Sequence, residues 1–163
     1  MIDLLAFCKW LEHTSVGTAV RESLWLFPAI ETVHLLGMAA LVGTIAVLDF
    51  RLLGWTLRQN RFSELSQRLL PWTWAGFGLQ VITGVLLFSS EAVKVYANPA
   101  FRLKMLLLFL AGVHALVFQF TIYRGVAGWD DSAVPPLGAK VSGFLSILLW
   151  IAIVAAGRFI GFV

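Results

Sequence analysis

Cysteine and charge are both scarce in this sequence. One cysteine, Cys8, excludes an intrachain disulfide and any multi-cysteine zinc or iron-sulfur site. Charged residues make up only 13% of the 163 residues while 60% are hydrophobic, and the mean hydropathy is +0.87. That balance excludes a soluble globular domain and fits an integral membrane protein. The sequence also lacks a nucleophile elbow, a phosphate-binding glycine loop and a metalloprotease helix, so nothing recognisable points to an enzyme. The formal charge of +3 comes with four arginines between Arg51 and Arg68 rather than with a basic groove, which argues for membrane topology and against nucleic-acid binding.

What is present reads as an all-α, single-domain, four-helix membrane bundle spanning residues 1–163. Pro28 is well placed as a first helical residue, and the run from about 28 to 53 is long enough to cross a bilayer. Further spans are expected over about 72–90, 99–123 and 141–158. Asn98 and Pro99 give the third a cap and a first turn, and Arg102 and Lys104 charge its mouth. The segment "MIDLLAFCKWLEHTS" carries Asp3 where a signal peptide wants basic residues, and is expected to remain as an interfacial amphipathic helix. Arg51, Arg58, Arg61 and Arg68 crowd the first link, so that link is expected in the cytoplasm and both termini in the periplasm.

Two residues interrupt the first span chemically. Glu31 and His34 lie at i and i+3 on one face, which Met38, Leu41 and Ile45 continue, while Ala39, Gly43 and Ala46 form a small-residue stripe on the opposite face. His34 and His114 are the only histidines inside expected spans, which raises haem b held by axial imidazole. His34 stands 17 residues before Arg51 and His114 stands 10 before Arg124. A difference of about seven residues is ~10 Å of depth, which argues against one iron shared by both. At the depth of His34 the candidates are Met105, Lys104, Glu91 and Arg158. The spacing thus predicts a polar cluster of Glu31, His34, Glu91, Lys104 and Arg158, with His34, Met38 and Met105 as a softer set for copper and His34, His114 and Met105 as candidate cofactor ligands. Gly76, Gln80 and Gly84, at i, i+4 and i+8, are expected to pack helices.

The stretches "RESLWLFPAIETVHLLG", "VLDFRLLG", "QRLLPWTWAGF", "ITGVLLF", "NPAFRLKMLLL" and "AAGR" resemble an uncharacterised bacterial integral membrane family known as domain of unknown function 6644. The resemblance covers nearly the whole chain, at Glu22, Pro28, Glu31, His34, Asp49, Arg51, Pro71, Gly84, Lys104 and Arg158. It implies four spans in the inner membrane and supplies no activity. The chain departs from the family pattern at His114 and Gln119, which carry asparagine and histidine there, and this shifts weight to His34. More distantly the chain is similar to membrane haem and copper proteins of the HemJ and CopD kind. Two functions follow as expectations: a non-catalytic accessory subunit of a homo-oligomeric or larger complex in the lipid bilayer, or a haem b or copper module built on His34.

Overall fold

The computed structural model describes residues 4–162, and among these the chain is helical with no strand. Four helices are long and apolar enough to cross a membrane: α3 (Leu26–Leu53), α4 (Phe62–Ser90), α6 (Pro99–Phe120) and α7 (Leu137–Phe159). The shortest has 22 residues, or ~33 Å at 1.5 Å per residue, which matches a hydrocarbon core of about 30 Å. Three short helices, α1 (Leu4–Glu12), α2 (Ser15–Glu22) and α5 (Ala92–Ala97), gather at the end opposite the arginine-rich link.

The N-terminal segment is thus two helices. Thr14 breaks it, its hydroxyl accepting from the Gly17 amide to start α2. Glu12 reaches across to accept from the Val93 amide at 2.8 Å, which caps α5 and ties α1 to it. Trp10, Phe7, Leu5 and Leu4 remain exposed on α1, the face an interfacial helix turns to acyl chains.

The spans pack in the order α4, α3, α7, α6, so α3 has a neighbour on each side. The row closes through aromatic pairs between α4 and α6: Phe88 stacks on Phe101 at 5.3 Å, and Phe62 meets Phe118 edge-on at 5.9 Å. Close approach needs small residues. A Cβ on Gly76 would stand 3.0 Å from the Leu41 amide nitrogen and 3.2 Å from the Gly37 carbonyl oxygen, so α4 lies nearly against the α3 backbone. On the other flank, a Cβ on Gly143 of α7 would come within 2.9 Å of the Asp49 carbonyl oxygen.

The second span starts at Phe62 rather than near Trp72, and its reason lies far away in sequence. Asp130, in the α6–α7 link, accepts from the Ser63 amide at 2.9 Å and from the Ser63 hydroxyl, capping α4 from across the molecule. Pro71 sits inside that helix without ending it. The third span stops at Phe120 instead of Tyr123, because Tyr123–Gly128 tightens into a 3-10 helix. Its Tyr123 and Val126, with Trp129, pack on Leu52, Phe62 and Ala139, the buried cluster at the arginine-rich end.

Arg51 fastens that end. It is 0% exposed, and its guanidinium donates to the Asn60 carbonyl at 2.8 Å and to the Ser132 and Asp130 carbonyls at 3.2 and 3.5 Å. One side chain therefore holds both links.

Gly76→Ala should lower the thermal unfolding midpoint in detergent through overpacking of about 1–3 kcal/mol. Gly78→Ala, where nothing lies within 4 Å, should leave it unchanged or raised. Partial burial pushes the Asp130 carboxyl up, but the Ser63 hydroxyl and amide, the Phe62 amide and the Arg61 charge outweigh it and hold it below its usual value. Stabilisation by a carboxylate so depressed is complete above about pH 4 and is lost as pH falls through the folded value. Asp130→Ala should therefore cost about 1 kcal/mol at pH 7. Unfolding compared at pH 7 and pH 3 should show that difference shrinking in acid.

Candidate functional site

The half of the bundle away from the arginine-rich end brings His34, Thr83, Gln80 and Lys104 together from three helices. His34 is half-buried on α3, and its Nδ1 lies 2.7 Å from the Thr83 hydroxyl oxygen. Thr83 has one proton, which its hydroxyl gives to the Leu79 carbonyl at 2.6 Å. The oxygen can then only accept from His34. Nδ1 therefore carries the imidazole proton, and Nε2 presents a lone pair. The Gln80 amide donates to the His34 carbonyl, a second tie between the same two helices. Gly84 leaves room for the ring, since a Cβ there would stand 3.5 Å from its Cε1. Lys104 enters from α6, half-buried. Its ammonium lies over Gly157 of α7, 3.5 Å from where a Cβ would be.

The other expected cluster members stand elsewhere. Glu31 is exposed on α3. Glu91 pairs with Lys94 at 3.2 Å where α4 gives way to α5. Arg158 is exposed and lies over the Phe162 ring at 5.1 Å. Met38 is half-buried one turn beyond His34, whereas Met105 is 42% exposed on α6. Adjacent helical residues point about 100° apart, so Lys104 facing inward turns Met105 outward. Among the described residues, no three His, Cys, Asp or Glu side chains stand together as a metal site.

His114 belongs to a different pair. Its Nε2 lies 3.1 Å from the Ser142 hydroxyl of α7, in the half nearer the arginine-rich link. The two membrane histidines thus bond to different helices at different depths.

Two further residues have a chemistry that hydropathy and spacing pass over. Asp49, 5% exposed, stands beside Ser146, yet its Oδ2 is buried without a hydrogen-bond partner. Arg51, read from sequence as a topology marker, is the buried fastener described above, with its Nη1 likewise unpartnered. An acid and a base two residues apart inside the last two turns of a span are the available signal, because charge in a membrane helix needs a reason.

The chain belongs to a family of unknown function, DUF6644, whose model matches residues 7–163. No curated protein and no solved structure matches it. The family carries no activity to transfer, so the functional reading rests on the residues themselves.

Proposed function

We propose that this chain is a non-catalytic subunit of a homo-oligomeric or larger complex in the bacterial inner membrane, with its arginine-rich first link in the cytoplasm. The observation that carries the reading is α6, which crosses the bundle without one buried residue. Gly112, Ala115 and Gln119 fall on one of its faces, at i, i+3 and i+7, and all three are exposed. In lipid, apolar faces gain little from one another, and association depends on close backbone approach and polar side chains. A glycine, an alanine and a carboxamide along one exposed face supply both. Ala39 and Gly43 of the α3 stripe also remain exposed, and a Cβ on Gly43 would meet nothing within 4 Å.

The interior polar groups support a structural role. His34 and His114 each bond to a hydroxyl on a neighbouring helix, which is how polar side chains join membrane helices. Thr44 and Thr73 do the same between α3 and α4 at 2.9 Å.

One observation favours a second reading, a haem b or copper module. Metal-ligating histidines characteristically have one ring nitrogen fixed by a hydrogen bond while the other faces the metal. His34, with Nδ1–H held by Thr83, has that form. Lys104 beside it would suit a haem propionate better than a bare cation.

Oxidative cross-linking in native membranes tests the first reading. Cys8 is 2% exposed, and burial followed by the nearby Glu12 charge pushes its thiol up, so it should stay out of the reaction. Gly112→Cys or Gly43→Cys should give a disulfide-linked dimer, and Leu36→Cys should not. Monomer throughout, with no membrane protein co-purifying, would overturn it. For the second reading, an oxidised-minus-reduced visible spectrum with metal analysis of the purified protein should show a Soret band or copper that is lost in His34→Ala; a colourless, metal-free protein refutes it.

A further inference from the structure

Where α3 ends and α7 begins, a cleft of about 230 Å³ opens, lined by Leu53, Trp55 and Arg58 on one side and Val134, Pro135 and Lys140 on the other. It is smaller than the ~300–1,000 Å³ that whole small molecules occupy, and suits a headgroup. Two cations stand in its wall and no acidic residue does. Neither ion pair among the described residues includes Arg58 or Lys140. The nearest acids in sequence to Lys140 are committed elsewhere, Asp130 to Ser63 and Asp131 to Arg61. Arg58 bonds the Gly54 carbonyl through Nε, which leaves its two terminal nitrogens for another acceptor. Leu53 closes one membrane-spanning helix and Lys140 lies in the first turn of another, so the cleft sits at the level of lipid headgroups, where the exposed Trp55 also belongs.

The same two helices carry an apolar groove of about 500 Å³ farther into the membrane, walled by Ala46 and Phe50 of α3 and by Ile147, Ile151 and Val154 of α7. Cleft and groove lie on one side of the helix pair. Ala46, Phe50 and Leu53, at i, i+4 and i+7, share a face of α3, and Lys140, Ile147 and Ile151, at i, i+7 and i+11, share a face of α7. Phe50 of the groove stacks on Trp55 of the cleft, with ring centroids 6.0 Å apart. From Lys140 to Ile151 the helix rises ~16 Å, about the depth of one leaflet of the hydrocarbon core. A cationic end at headgroup level thus continues into an apolar track one leaflet long.

We propose that cleft and groove together seat one anionic phospholipid, its phosphate between Arg58 and Lys140 and an acyl chain along the α3–α7 flank. Guanidinium and ammonium groups are the usual partners of phosphate oxygens, and basic pockets between membrane helices are where anionic headgroups bind. A zwitterionic lipid would bring its own cation to a cleft with two cations and no acid to receive it. Charge alone would accept any soluble phosphate ester, and the apolar track selects one that carries a chain. The site is separate from His34 and Lys104, and it does not depend on the oligomer or cofactor readings above.

Native mass spectrometry of the whole chain in detergent, titrated with dioleoylphosphatidylglycerol or dioleoylphosphatidylcholine, tests this. The glycerol lipid should bind at least about tenfold more tightly, as two cations at a membrane surface allow. Arg58→Gln with Lys140→Gln should bring its affinity down to that of the choline lipid. Arg68→Gln with Arg124→Gln removes the same charge from the same end outside the cleft and should keep the preference. Ile151→Trp, which narrows the groove and leaves both cations in place, should weaken the glycerol lipid severalfold. Glycerophosphoglycerol, the headgroup without chains, should not displace it even in large excess. The unfolding midpoint of each variant without lipid reports that it is folded. Equal affinity for the two lipids, a preference that survives the Arg58 and Lys140 pair or is lost in the Arg68 and Arg124 pair, or unaltered binding by Ile151→Trp would each overturn the proposal. Displacement by glycerophosphoglycerol would overturn it too, by making the cleft a site for free phosphate esters.

Discussion

Contact between the α3 and α4 backbones at Gly37 and Gly76 is the constraint on which the rest of the bundle depends. Without side chains there, the helices come close enough for Gln80 to reach the His34 carbonyl and for the His34 ring to reach Thr83. Any larger residue would separate them and strand those polar groups in hydrocarbon, where no water can replace the lost partner. The same helix is held on its other side by Gly143, so α3 becomes the central element through glycines its neighbours supply. Its position is set by backbone approach, and its polar residues are arranged as a consequence.

Each half of the bundle then settles its polar side chains with hydroxyls from the next helix. Thr83 serves His34, Ser142 serves His114 and Thr73 serves Thr44. Hydroxyls suit this role because they donate and accept at once, and a proton not needed across the interface can return to the helix's own carbonyl, as Thr83 shows. Arg51 is the counterpart at the arginine-rich end, where two links turn unpaired carbonyls inward and a guanidinium can collect several of them. The exposed Arg61–Asp131 pair at 2.5 Å adds little beside it, because solvent screens both partners.

Much of this was legible in the sequence, and the reasons are particular. Mean hydropathy located four spans, since length and oiliness are what a bilayer selects. Residue counts separated His34 from His114, which bond to different helices, because rise per residue is nearly constant along a helix. The Gly76, Gln80 and Gly84 stripe was readable as a packing face, and all three do address α3. Helix starts were less legible. Phe62 begins α4 because Asp130 caps it from another link, and no local window contains both residues.

Azimuth was the harder quantity. Depth counting gathers every charge at one level, but a helix distributes neighbours around its circumference, and whether a residue faces its own chain depends on how far each helix has rotated. Lys104 turns inward and Met105 outward at almost the same depth; Glu91 meets Lys94 before it can meet His34. A hydropathy average is blind to this rotation, and with apolar residues around the whole circumference of α3 and α6 no amphipathic stripe marks the inner side. Asp49 illustrates the cost of that blindness. Its charge is visible in any reading of the chain, but its burial comes only from the close packing of α3 on α7 at Gly143, which no property of the first span alone foretells.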